Sequence, residues 1–227
     1  MYSLEDAIIA FSAGKFVLIH DDKGRENEID MVIAAEFVTP MHVSIMRKHA
    51  GGLICAAITH EAASRLGLMY MHDILEHMST AAPKLSKLAF NRAPYGDRSA
   101  FSISVNHRDT YTGITDYDRA FTINKIADVC RDIDLDGPER FSKTFRAPGH
   151  VPILIASKGL LNERMGHTEL CMYLAQVSGL TQSVVVCEML DTNTHHALTS
   201  DMAQKYAEEN NILILEGSQL INYAKAV

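Results

Sequence analysis

The chain has 227 residues, of which 47% are hydrophobic, so it is long enough to bury a sizeable core. Its formal net charge is −7 and it has no basic tract, which argues against nucleic acid as its ligand. No apolar run approaches the roughly 18 residues that a membrane-spanning helix needs, and the four cysteines lack Cys-x-x-Cys spacing, as expected for reduced thiols in a cytoplasmic protein.

Apolar runs predict strands, and segments with helical spacing or capping residues predict helices between them. The strand-like runs cover residues 16–20, 30–37, 51–58, 101–105, 152–156, 183–187 and 212–215. The helix-like segments cover residues 3–14, 39–50, 60–67, 117–129, 166–177, 198–209 and 218–224.

Two stretches, 70–98 and 131–149, have no clear period, and we interpret them as irregular apart from a helical turn near Leu85. No linker divides the chain, so we expect one domain over residues 1–227. Strands and helices alternate without a regular repeat. This order favours an α/β (α+β-like) fold, that is, a single layered domain with a mixed sheet flanked by helices.

Residues 21–30 (the acidic loop) contain five carboxylates. An extended chain here would direct Glu26, Glu28 and Asp30 to one face, where like charges repel. Two arrangements relieve that repulsion. One is a water-exposed hairpin in which Lys23 and Arg25 supply the counter-charges. The other is a site where a divalent cation neutralises some carboxylates while others transfer protons. Charge spacing alone favours the exposed hairpin.

The order of residues in this loop resembles the signature of the 3,4-dihydroxy-2-butanone 4-phosphate synthase family of riboflavin biosynthesis. The matching residues of the loop are Asp21-Asp22, Arg25-Glu26-Asn27-Glu28 and Asp30-Met31. A second segment, Arg164-Met165-Gly166-His167-Thr168-Glu169, resembles the other signature of that family. Further similarity lies in residues 112–115, 118–119 and 187–188, so the resemblance runs over nearly the whole chain.

The resemblance implies an enzyme, a lyase, that converts D-ribulose 5-phosphate to L-3,4-dihydroxy-2-butanone 4-phosphate and formate. It implies Mg²⁺ (or Mn²⁺) as cofactor, held by Glu26 and His167. One carboxylate and one imidazole, completed by water and substrate oxygens, suit these ions in an open octahedral site. Without the family signature, one histidine among 11 would more simply be a surface or capping residue.

Arg164, Gly166 and Thr168 have the chemistry of an anion cradle: a guanidinium, a glycine that permits close backbone approach, and a hydroxyl at a helix start. By sequence alone these residues are equally typical of an ordinary helix start. The resemblance, however, implies that the sugar phosphate contacts this segment. The expected substrate-binding residues are Arg25, Glu26, Asp30, Thr112, Arg164, Met165, Gly166, His167, Thr168 and Glu188.

Four residues are candidates for catalytic proton transfer, namely Glu28, Asp30, His150 and Glu188. Glu28 and Asp30 remain available once a metal occupies Glu26, and enolisation of ribulose 5-phosphate needs a base near carbon 3. Glu188 follows an apolar strand, a position that suits proton transfer, but by position alone it could equally be an ordinary strand-end carboxylate. His150 matches a family position linked to activity. Without the resemblance, it would be interpreted as a loop histidine ahead of a strand.

Two alternatives remain open: another metal-dependent phosphosugar isomerase or aldolase, which would release no formate, and a non-catalytic sugar-phosphate sensor, which would not need so many carboxylates.

The resemblance also implies a homodimer with sites near the interface. Met71, Leu85, Phe90 and Phe141 lie in the irregular stretches and need burial. We therefore expect these stretches, or the loop 112–119, to reach the partner's acidic loop, unless they fold back on their own domain.

Overall fold

The computed structural model describes residues 3–21, 24–89, 92–132 and 136–226. The expectations for Asp22, the neighbouring Lys23 and Phe90 therefore lie outside the described residues. The strands are β1 (Val17–His20), β2 (Ile29–Ala34), β3 (Cys55–Ile58), β4 (Phe101–His107), β5 (Phe145–Ile155), β6 (Ser183–Glu188) and β7 (Leu213–Glu216). The helices are α1 (Leu4–Ser12), α2 (Pro40–Ile45), α3 (His60–Leu66), α4 (Met71–His77), α5 (Pro83–Ser86), α6 (Asp116–Arg131), α7 (Gly137–Thr144), α8 (His167–Val177), α9 (Ser200–Asn210) and α10 (Gly217–Ala226).

The strands form one mixed sheet in the order β4-β5-β3-β6-β2-β1-β7. The pairs β3/β5 and β1/β7 are parallel, and the other neighbours are antiparallel. Every residue of β2 and β3 is buried, because helices cover the sheet on both sides. The predicted α/β class with a mixed sheet flanked by helices is confirmed.

Side-chain alternation along the strands divides the core into two layers. Met31 and Ile33 of β2 face a core that includes residues of α2, α3, α6, α7 and α9. Val32 and Ala34 face the opposite core, which includes residues of α1, α8 and α10. Asp30 has the same parity as Val32, so it belongs to the α8 side of the sheet.

The interpretation of residues 131–149 as irregular is wrong, because they contain α7 and the first half of β5. Phe141 of α7 is buried in its own core, with its ring centroid 4.7 Å from that of Phe145. The start of β5 pairs with β4 across a register shift, so proline and glycine at 148 and 149 hide the strand from a periodicity analysis. Phe141 thus needs no partner subunit for its burial.

Residues 70–98 are also more regular than expected. The helical turn near Leu85 is confirmed as α5, but α4 (Met71–His77) was not predicted.

Conversely, the strand expected at 51–58 begins only at Cys55, since Gly51 has a left-handed backbone with φ of 92°. No helix in the described ranges combines the length and hydropathy that crossing a bilayer requires.

Candidate active site

A cavity of about 410 Å³ lies where the start of α8 meets the acidic loop and an uncovered part of the sheet. Its walls include Glu26, Glu28, Asp30, Ala93, Tyr95, Ser99, Ala100, Phe101, Leu154, Arg164, His167, Thr168, Val186 and Glu188. The cavity therefore brings together most of the sequence-predicted site residues. A larger cavity of about 680 Å³ between residues 47–51 and α9 contains none of them.

The acidic loop is shaped from inside by Asp21, whose carboxylate is buried. It accepts hydrogen bonds from the backbone N–H groups of Glu26 (3.2 Å) and Glu28 (3.1 Å) and from the Arg25 guanidinium (3.1 Å). Asp30 is only 3% exposed. The loop does connect the antiparallel strands β1 and β2 as a hairpin. The expected exposure to water is wrong, because Asp21 and Asp30 are buried and Glu26 and Glu28 are half-buried.

His167 joins α8 to this loop. Its Nε2 lies 3.1 Å from the carbonyl oxygen of Glu28, and its Nδ1 lies 3.2 Å from Glu26 Oε2 and 3.9 Å from Asp21 Oδ2. A carbonyl only accepts, so Nε2 carries a proton and Nδ1 faces the two carboxylates. Burial lowers the pKa of His167, but Asp30, Glu26 and Asp21 outweigh it and raise that pKa to about 9.

Glu26 shows the reciprocal effect, since its hydrogen bond with His167 holds the pKa of the carboxyl at about 2 against the opposing effect of burial. One ligand atom each from Asp21, Glu26 and His167 lies within 4.8 Å of the others. A divalent cation suits this set because its charge can replace that of the imidazolium proton. Sequence reasoning named Glu26 and His167 but not Asp21, although Asp21 lies in the same signature.

Asp30 and Glu188 lie opposite each other on β2 and β6. Among the described residues, Asp30 Oδ1 is buried without a hydrogen-bond partner. Burial raises the pKa of Asp30 to about 7, and burial followed by repulsion from Glu26 raises the pKa of Glu28. Glu188 Oε2 accepts a hydrogen bond of 2.7 Å from the N–H of Leu53. Asp30 can therefore accept or donate a proton near neutral pH.

Two guanidinium groups meet at the start of α8. Arg164 contacts Glu169 (2.7 Å) and Asp97 (3.2 Å), and Arg25 contacts the same Asp97 oxygen at 2.5 Å. A Cβ added to Gly166 would lie 2.8 Å from Arg164 Nη1 and 2.9 Å from Arg25 Nη2, so any larger residue would push these guanidinium groups out of their present positions. The helix start has no side-chain cap. This arrangement has the chemistry of an anion site.

The segment 92–99 covers the cavity. The hydroxyl of Tyr95 donates a hydrogen bond to Glu26, and the Arg25 guanidinium lies 5.1 Å from the centre of the Tyr95 ring. Sequence reasoning missed Tyr95 and Asp97 because turn residues such as Pro94 and Gly96 mark a loop without indicating which groups it will meet.

Thr112 and His150 do not line this cavity but lie together around Asn106. The Asn106 side chain donates to the Thr112 carbonyl (3.2 Å) and accepts from the His150 N–H (2.8 Å). His150 is exposed and precedes the cavity residue Leu154 by four positions on β5, about 13 Å along a strand. Met165 is exposed beside the site.

Comparison with known proteins identifies relatives of the chain. A family model described as 3,4-dihydroxy-2-butanone 4-phosphate synthase matches residues 5–223. Over 218 residues the chain is 46% identical to the 3,4-dihydroxy-2-butanone 4-phosphate synthase of Methanothermobacter thermautotrophicus, covering 96% of this chain and 94% of that protein. Over 222 residues it is 32% identical to riboflavin biosynthesis protein RibBA of Bacillus velezensis, covering 98% of this chain and 49% of that protein.

A solved structure of a 3,4-dihydroxy-2-butanone 4-phosphate synthase in complex with two magnesium ions matches with a TM-score of 0.82 and 30% identity. The match covers 100% of this chain and 98% of that one. The similarity therefore extends over the sheet, the acidic loop and α8 together.

The raised pKa of Asp30 predicts that Asp30→Asn stabilises the metal-free protein more at pH 8 than at pH 5. The carboxyl has an ordinary pKa of 3.8 when unfolded and about 7 when folded, so its burial costs stability increasingly as pH rises between these values. Asparagine removes this cost, and the gain should differ by about 2–3 kcal/mol between the two pH values.

Urea unfolding in the presence of a chelator measures this difference. The control is Asp109→Asn, which makes the same chemical change at a side chain that is 81% exposed. Equal gains at both pH values for Asp30→Asn would show that its carboxyl titrates normally.

Proposed function

Because the chain belongs to the 3,4-dihydroxy-2-butanone 4-phosphate synthase family of riboflavin biosynthesis enzymes, we propose that its acidic cavity converts D-ribulose 5-phosphate to L-3,4-dihydroxy-2-butanone 4-phosphate and formate. One observation carries the proposal: one cavity is bordered by two members of the cation-ligand set (Glu26 and His167), by a buried carboxylate with a pKa near neutral (Asp30) and by Arg164. We also propose that residues 1–227 form one domain. We propose in addition that the protein acts in the cytoplasm, because its cysteines are free thiols.

Glu26 and His167 would hold Mg²⁺ or Mn²⁺, with Asp21 as a third donor. The Glu28 carbonyl accepts a hydrogen bond from His167 Nε2, which leaves Nδ1 directed at the carboxylates and available as a ligand. A cation bound there would supply the positive charge that stabilises an enediolate. This assignment is supported by the ligand distances and by the complex of a family member with two magnesium ions.

Asp30 is our candidate for the base that removes the proton from carbon 3. It is buried, it has an unpaired oxygen among the described residues, and its pKa of about 7 lets it exchange a proton at neutral pH. Glu28 and Glu188 border the same cavity and can return protons as the carbon 1 hydroxyl leaves as water. The skeleton then rearranges and carbon 4 leaves as formate, with the water returned and no external oxidant or reductant.

Arg164, Arg25, Gly166 and Thr168 would bind the phosphate at the start of α8. Asp97 bridges the two guanidinium groups here, so a phosphate must displace its carboxylate. A phosphate dianion carries more charge and more acceptor oxygens than a carboxylate, which favours that exchange. Met165 would contact the substrate from the exposed side.

We further propose a homodimer in which the partner supplies Thr112 and His150. Within one chain these residues cluster around Asn106, away from the cavity, so a site that uses both sets must be completed by a second copy. The loop that bears Thr112 and the first turn of α6 after it carry apolar side chains that are unusually exposed: Tyr111 (93%), Ile114 (51%) and Tyr117 (70%). Apolar exposure of this size is typical of a contact surface.

Formate release tests the reaction and distinguishes it from isomerase, aldolase and sensor alternatives. We expect proton NMR to detect formate when the protein is incubated with ribulose 5-phosphate and Mg²⁺. EDTA should abolish the activity, and Mg²⁺ or Mn²⁺ should restore it. Absence of formate with intact folded protein would overturn the proposed reaction.

Glu26→Gln and His167→Ala should each lower kcat by more than about 100-fold, equivalent to roughly 3 kcal/mol of transition-state stabilisation. His196→Ala is the control, because it removes an exposed histidine outside the cavity. Near wild-type kcat in either site variant would contradict the metal assignment.

The phosphate assignment predicts that Arg164→Ala raises KM for ribulose 5-phosphate by about 10- to 100-fold, the equivalent of a lost ionic hydrogen bond. The Mg²⁺ concentration for half-maximal activity should not change. Arg65→Ala, at an exposed arginine paired with Glu61, is the control. Asp97→Asn should conversely strengthen inhibition by inorganic phosphate, and an unchanged KM in Arg164→Ala would move the phosphate elsewhere.

Subunit mixing tests the composite site. After exchange of Glu26→Gln with His150→Ala subunits, half of the dimers are mixed and one of their two sites is intact, so activity should reach about a quarter of wild type. Mixing Glu26→Gln with His167→Ala is the control and should recover nothing. Lack of recovery in the first mixture, despite demonstrated exchange, would assign Glu26 and His150 to one subunit.

A further inference from the structure

The acidic loop turns at Asn27, which has a left-handed backbone with φ of 52°. This residue separates Glu26 from Glu28, so its conformation directs the Glu26 carboxylate to one ring nitrogen of His167 and the Glu28 carbonyl to the other. Left-handed backbone is unfavourable for residues other than glycine, although asparagine tolerates it better than most. The geometry around His167 therefore depends on a conformation that needs support.

His20 provides a contact to this residue from outside the cavity. It is buried at the end of β1, and its Nε2 lies 3.2 Å from Asn27 Oδ1. Its Nδ1 lies 2.9 Å from the carboxylate of Glu216, the residue opposite it in the parallel pairing of β1 with β7. Neither His20 nor Glu216 is among the residues that line the cavity.

The other support of the loop does not replace this contact. Asp21 binds the backbone N–H groups on either side of Asn27, which fixes the ends of the turn but not its centre. Within the described residues, His20 is the hydrogen-bond partner of the Asn27 side chain. An amide can present its oxygen or its amino group to an imidazole nitrogen, so the contact persists in either protonation state of the ring.

We propose that His20, oriented by Glu216, is a positioning residue that holds Asn27 in the left-handed conformation and thereby aims Glu26 and Glu28 at the reaction site. The inference rests on the proposed function for its kinetic consequence. Its structural content is independent of that function, since it concerns the conformation of one residue. A purely structural histidine would affect only the stability of the fold.

The test combines loss and rescue. His20→Leu keeps an apolar side chain of similar bulk but removes both hydrogen bonds, and we expect kcat to fall about 10- to 100-fold, as for other groups that orient ligands. KM for ribulose 5-phosphate should change less than about twofold, because the arginines are untouched. Adding Asn27→Gly should restore kcat to within a few-fold, since glycine adopts positive φ without support.

Asn211→Gly is the matched control for rescue. Asn211 is also left-handed, with φ of 53°, but it ends α9 away from the cavity. In the His20→Leu background it should restore nothing. Glu216→Ala is the second variant, in case the buried leucine impairs folding. It keeps His20 but removes the carboxylate that orients its ring. We expect kcat to fall about 3- to 10-fold, and Asn27→Gly should again rescue it.

Backbone amide NMR provides a readout besides activity. The amide shifts of Glu26 and Glu28 should move in His20→Leu and return in the double variant with Asn27→Gly. If wild type releases no formate, the proposed function fails while the NMR result still tests the contact. Unchanged amide shifts and kcat in a folded His20→Leu protein, or failure of Asn27→Gly to rescue, would overturn the positioning role.

Discussion

The pairing of buried His167 with half-buried Glu26 and buried Asp21 is the interaction on which the site depends. A buried charge is costly unless it is paired, so three ionisable groups can share this space only while their charges compensate. The pairing also joins two distant parts of the chain, because His167 begins α8 whereas the carboxylates belong to the acidic loop. Its geometry fixes where the helix start, and hence the anion site, lies relative to the carboxylates.

The sheet supplies the frame for this pairing. Antiparallel pairing of β2 with β6 sets Asp30 opposite Glu188, and the alternation of side chains directs Asp30 toward the layer that contains α8. Beyond the start of α8, part of the sheet near Val186, Leu154 and Phe101 forms the floor of the cavity. The cavity is thus the space between a helix start, a loop and a sheet face.

The same environment separates the acidities of carboxyls that are close in sequence. Hydrogen bonding with His167 holds the pKa of Glu26 at about 2, whereas burial raises that of Asp30 to about 7. An enzyme that binds a cation and moves protons needs both kinds of carboxylate, one always charged and one that exchanges a proton. The arginine pair adds positive charge beside these carboxylates, and Asp97 balances it.

The sequence by itself determined the family, the mixed α/β class, most strands and helices, and the two segments that meet at the cavity. These are properties of local order and periodicity, which a single chain displays directly. Tertiary structure alone decided that α7 and the start of β5 form, because Phe141 packs on Phe145 and β4 pairs across a shifted register. It also decided that Asp97 meets Arg25 and that His150 lies away from the cavity, since such contacts follow from strand order and loop path, which local patterns do not encode.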